Sequence, residues 1–74
     1  MNVEKIIEKM KRQPNGIRFE EAKKVLECYG FTCKRQKGSH AQFLKKETGE
    51  LITIKVENPL KKVYVVDILR RIDE

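Results

Sequence analysis

Apolar and polar positions change their period twice along this chain. Val3, Ile6, Ile7 and Met10 fall at i, i+3, i+4 and i+7, which predicts an amphipathic helix over residues 2–12. Pro14-Asn15-Gly16 ends it. Ala22, Val25, Leu26 and Tyr29 mark a second helix. Glu20 and Glu21 lie in its first turn, where the helix dipole favours acids, and Gly30 suits the position just past its C-terminus. The period then drops to two. Phe31-Thr32-Cys33-Lys34-Arg35 alternates as a strand, Gln36-Lys37-Gly38-Ser39 reads as a turn, and His40-Ala41-Gln42-Phe43-Leu44-Lys45 as a second strand. Glu47-Thr48-Gly49-Glu50 is a hairpin loop before a β-branched third strand, Leu51-Ile52-Thr53-Ile54-Lys55-Val56, which Asn58-Pro59 breaks. Val65, Ile68, Leu69 and Ile72 restore the helical spacing.

The predicted order is α-α-β-β-β-α: a three-stranded antiparallel sheet with helices on one face and the other face open to solvent. If Lys46 pairs with Leu51, Phe43 faces Ile54 and Ala41 faces Val56, so the apolar pairs share one face. A slip of one residue would set Phe43 against Thr53. In that register His40, Gln42, Thr53 and Lys55 share the open face. The stripe of the N-terminal helix reads as core, since a short chain gains buried area from one more packed helix.

At 74 residues the chain is one small domain with a marginal core. That excludes two-domain enzymes, dinucleotide-binding sheets and barrels. No apolar run approaches the roughly 18–20 residues that span a bilayer, and Met1-Asn2-Val3-Glu4-Lys5 has no secretion-signal pattern. The expectation is a soluble, cytoplasmic protein without membrane contact. Cys28 and Cys33 are too few for a disulfide scaffold and are expected as reduced core residues. With one histidine at a distant spacing they do not make a zinc site, so no metal is expected.

Charge is where composition changes the picture. The net charge is +6, and residues 31–46 hold five basic side chains and no acidic one. A local basic segment suggests a polyanion, most simply nucleic acid, or a basic surface kept for solubility. The single histidine sits inside that segment, in Arg35-Gln36-Lys37-Gly38-Ser39-His40. Histidine is the side chain whose ordinary pKa lies nearest neutrality, so His40 is the first candidate for proton transfer. Gly38 permits close backbone approach and Ser39 can donate to an oxygen. The residues alone leave three readings open: a nuclease, an RNA-binding module in which His40 is incidental, and a module for an acidic protein partner.

The run Arg35-Gln36-Lys37-Gly38-Ser39-His40-Ala41-Gln42-Phe43 resembles the signature of the HicA family of type II toxin–antitoxin systems. The resemblance continues through Thr48-Gly49, Leu51-Ile52-Thr53-Ile54 and Asn58-Pro59-Leu60-Lys61 into Ile68-Leu69-Arg70-Arg71-Ile72. It covers residues 17–73, with residues 1–16 as an additional N-terminal helix and turn. It implies a double-stranded-RNA-binding-domain-like α-β-β-β-α sandwich and metal-independent endoribonuclease action on mRNA as an mRNA interferase, with no cofactor. The essential histidine of the motif maps onto His40. It also implies a HicB-type antitoxin that covers the His40 face. Many family members carry a second histidine in a Val-Pro-x-His-type stretch near the end of the third strand; the matching run here, Ile54-Lys55-Val56-Glu57-Asn58-Pro59, has none.

A ribonuclease of this kind uses the 2′-hydroxyl of RNA as nucleophile, and so needs a base, an acid and cations for the phosphate. The expected assignment makes His40 base or acid, with Lys37 and Arg35 neutralising the phosphate and Gly38 and Ser39 positioning it. Gln42 is a ligand on the open face, and Lys34, Lys45 and Lys55 are sequence-independent backbone contacts. Tyr64 is a remote candidate for the partner of His40.

Overall fold

The computed structural model describes residues 2–72. Helix α1, Val3–Arg12, begins on Asn2, whose Oδ1 accepts from the N–H groups of Glu4 at 2.8 Å and Lys5 at 3.3 Å. This satisfies two of the donors a helix start leaves without partners. Lys9, Lys11 and Arg12 occupy its last turn, where the dipole favours cations. A short 3₁₀ turn, Pro14–Gly16, leads to helix α2, Phe19–Cys28. Arg18 at its N-cap has no side-chain acceptor, and Glu21 supplies the contact instead by accepting from the Arg18 N–H at 2.9 Å. Gly30, at φ +93, follows the C-cap residue Tyr29 and turns the chain into the sheet.

The strands are β1, Phe31–Lys37; β2, His40–Lys45; and β3, Glu50–Lys55, in spatial order β1-β2-β3, all antiparallel. Helix α3, Lys62–Ile72, closes the described chain. All three helices lie on one face. Their buried residues, Ile6, Met10, Ala22, Val25, Leu26, Val65 and Ile68, join Ala41, Phe43, Ile52 and Ile54 of the sheet in one core. The α1 stripe is thus core, as its spacing indicates: Met10 is fully buried, and Val3 and Ile7 pack at the margin. Phe43 stacks obliquely on Phe19, with ring centres 6.2 Å apart.

The strap after β3 is held at both ends. The Phe19 N–H donates to Asn58 Oδ1 at 2.8 Å and the Leu60 N–H to the Ile17 carbonyl at 2.7 Å. The Asn58-Pro59-Leu60 run therefore has a structural role: it ties the end of the sheet to the start of α2.

Three sequence expectations are corrected. The β2–β3 register is displaced by two residues: Phe43 faces Ile52 and Ala41 faces Ile54, with Lys45 opposite Glu50. A shift of two keeps every side chain on its own face, so the apolar pattern fits both registers. The loop decides between them. Lys45's carbonyl accepts from the N–H groups of Thr48 and Gly49, and Thr48 Oγ1 accepts from the Glu50 N–H. This closes the hairpin one residue earlier than expected. Second, β1 runs on to Lys37, so the first turn is only Gly38-Ser39. Third, Cys28 and Cys33 are exposed, not core. Cys33 lies opposite the buried Phe43, but on an edge strand where only Phe31 is buried.

Lys9 Nζ lies 3.1 Å from Glu21 Oε2 and joins α1 to α2. Burial raises the Glu21 pKa, but the Arg18 N–H and the Lys9 ammonium outweigh it, and the net shift is below the ordinary 4.5. Glu21→Ala removes both partners and is expected to lose about 1–2 kcal/mol, read as a drop in the urea midpoint. A lowered carboxylate pKa stabilises fully above 4.5, and that contribution disappears as pH falls through the folded value. The gap between the native protein and Glu21→Ala should therefore narrow in acid.

Candidate active site on the open face of the sheet

Cross-strand pairing lays the solvent face out in three rows. At one end Lys37, His40 and Lys55 stand abreast; Arg35, Gln42 and Thr53 follow; Thr32, Leu44 and Leu51 form the far row. The face therefore grades from cationic, through a row of guanidinium, amide and hydroxyl, to one that is mainly apolar. An open hollow of about 360 Å³ lies over the first two rows, lined by Arg35, Lys37, His40, Gln42 and Thr53. That is at the small end of ligand sites and suits one phosphodiester unit. Among the described residues no carboxylate lines it, so the local field favours an anion.

Two local features build the hollow. Gly38, at φ +59, takes the first position of a two-residue turn in which Ser39 keeps an ordinary negative φ. This is the pattern of a type II′ hairpin, which places glycine there. It brings Lys37 directly opposite His40. A Cβ on Gly38 would meet nothing within 4 Å, so backbone conformation alone selects glycine. The second feature is a β-bulge. Cys33 pairs with Phe43 and Arg35 with Gln42, leaving Lys34 as an extra residue. In a regular ladder Arg35 would share the inner face of Phe31 and Cys33. The bulge turns it outward beside Gln42.

The structure gathers some of the expected site residues and separates others. His40, Arg35, Lys37 and Gln42 line the hollow together, and Thr53 completes it. Alternation alone places Thr53 on this face, but its position opposite Gln42 comes from the register. Gly38 and Ser39 form the turn at its edge, and the Ser39 carbonyl accepts from the Val56 N–H at 2.6 Å. Lys55 pairs with His40 but does not line the hollow, and Lys34 is the bulge residue. Lys45 is not brought to this site: it shares the inner face with Phe31, and its Nζ lies 5.7 Å from the centre of that ring. Its parity with Ala41 and Phe43 explains the placement. Tyr64 lies on α3 and lines a second groove, not the His40 hollow. Among the described residues no group of three or more His, Cys, Asp or Glu side chains could hold a metal ion, and no helix is long and apolar enough to cross a membrane.

A search of curated proteins finds no match, and no solved structure matches the chain. The sequence model of one family, described as the HicA toxin of bacterial toxin-antitoxin, matches residues 19–73. The match takes in α2, all three strands and α3, with every residue that lines the hollow. The chain belongs to the HicA family of bacterial toxins and is the toxin member of a toxin–antitoxin pair.

Proposed function

We propose that this toxin is a metal-independent endoribonuclease that cuts mRNA in the hollow over β1, β2 and β3, with His40 as its proton-transfer group. The observation that carries the reading is an exposed imidazole that shares one hollow with Arg35 and Lys37, with no lining carboxylate among the described residues. RNA brings its own nucleophile. His40 takes the proton of a 2′-hydroxyl, the 2′-oxygen bonds to phosphorus, and the bond from phosphorus to the 5′-oxygen breaks. The leaving oxygen takes a proton from the imidazolium or from water. Lys37 and Arg35 hold the phosphate and offset the charge that grows on its oxygens. Gln42 and Thr53, the next row, lie about 7 Å along the strands, where the neighbouring sugar or base would rest. A HicB-type antitoxin covering this face would silence the enzyme.

The products test the chemistry. The 2′-hydroxyl route leaves a 2′,3′-cyclic phosphate and a 5′-hydroxyl; fragments with 5′-phosphate and 3′-hydroxyl ends would refute it. The cations make a separate prediction. For a single-stranded RNA, removing one cation that neutralises a phosphate lowers the slope of log affinity against log salt by about 0.7. Lys37→Ala combined with Arg35→Ala should flatten the salt dependence of RNA binding by about 1.4, measured by fluorescence anisotropy across a salt series. An unchanged slope would remove both residues from the phosphate.

A further inference from the structure

Four large apolar side chains are notably exposed among the described residues: Tyr29, Leu51, Val63 and Val66. Three of them, Leu51, Val63 and Val66, line one groove of about 360 Å³ between β3 and α3. Val63 is 65% exposed and Val66 45%, although both sit on a helix whose opposite side, at Val65 and Ile68, is fully buried. Helix α3 thus carries a second apolar stripe that the core does not use. Beside it β3 is one of the two outer strands of the sheet, and an outer strand offers a row of unpaired backbone donors and acceptors. Arg71 fixes the groove's shape, reaching Glu50 at the start of β3 at 3.3 Å and Asp67 on its own helix at 3.2 Å.

We infer that this groove receives an extended segment of the antitoxin, acidic at its edges and apolar at alternate positions, which adds to β3 as a fourth strand. Backbone pairing would hold the segment, and its alternate apolar side chains would seat against Leu51, Val63 and Val66. Charge selects this occupant over a second copy of the chain. The toxin carries +6, exposed Lys61 and Lys62 precede the valines, and on the rim two arginines, Arg70 and Arg71, stand against one lining carboxylate, Asp67, with which both pair. Two copies would bring like charges together, whereas an acidic partner is attracted. Position gives the docking a consequence. Thr53 borders both this groove and the His40 hollow, so a strand laid along β3 runs beside the RNA-binding face. Silencing by this route rests on the ribonuclease reading; the docking itself does not.

The test uses the full-length toxin and, as probe, the protein encoded by the reading frame adjoining its own. Affinity is measured by calorimetry for the native chain, Val63→Asp and Val66→Asp. Both valines are exposed and outside the RNA hollow, and far-UV circular dichroism checks that each variant folds. The expected result is binding weakened about thirtyfold or more by either aspartate, with RNA cleavage unchanged and resistant to the probe. Three results would overturn the inference: binding that survives both substitutions, no binding of the probe by the native chain, or a native homodimer in light scattering that Val66→Asp splits. Binding that depends on Val66 in a toxin that cuts no RNA would uphold the docking surface and reject the ribonuclease.

Discussion

Alanine in place of His40 is expected to give a protein that folds and binds RNA but cuts it about 10²–10⁴-fold more slowly. The imidazole is exposed at the first residue of β2, so its loss removes little buried area, and the melting temperature should move by no more than a surface substitution does. Binding should persist because Arg35 and Lys37 remain in the hollow. Growth inhibition should disappear with cleavage. Single-turnover cleavage, anisotropy with a labelled RNA and a thermal melt separate the three properties. A variant that still cuts at the native rate would remove His40 from the chemistry. One that neither binds nor folds would mean that His40 is structural.

Phe43→Ala is expected to have the opposite profile. Phe43 lies one residue beyond Gln42 on β2 but points into the core, fully buried, against Phe19 and between Cys33 and Ile52. Truncating a buried phenylalanine costs about 3–5 kcal/mol. A chain of this size has a total stability on the order of 5 kcal/mol, so about 0–2 kcal/mol would remain, with up to about half of the protein unfolded and a melting temperature lowered on the order of 20 °C. Toxicity and RNA binding should then fall together. Cys33→Ala, on the same face but exposed, should change stability by less than about 0.5 kcal/mol. That contrast separates the covered part of the inner face from its uncovered edge. A Phe43→Ala protein that melts like the native one would contradict this core.

Most of the architecture is legible in periodicity. The helical spacing of Val3, Ile6, Ile7 and Met10, the alternation through β2 and the return to helical spacing at Val65 fix three elements and their inward faces. The same alternation puts His40, Gln42 and Thr53 on one open face before the fold is known. What period cannot carry is anything that preserves parity or breaks it locally. The displaced β2–β3 register preserves it and depends on how the loop after Lys45 closes. The bulge at Lys34 breaks it, and nothing in Cys33-Lys34-Arg35 separates a bulged strand from a regular one. Exposure of Cys33 depends on how far the helices reach across β1, a tertiary property. The groove beside α3 has a faint signal: Val63 and Val66 repeat at i, i+3 off the Val65–Ile68 stripe. That signal has meaning only once the helix has a known neighbour.

Everything proposed for the hollow turns on a metal-independent cut made by His40. The decisive experiment is cleavage of a long single-stranded RNA by purified native protein and by His40→Ala, both in excess EDTA. Fragments from the native protein and intact RNA with the variant, although both bind, are the expected result. Cleavage that EDTA abolishes, equal cleavage by the two proteins, or intact RNA with both would contradict it.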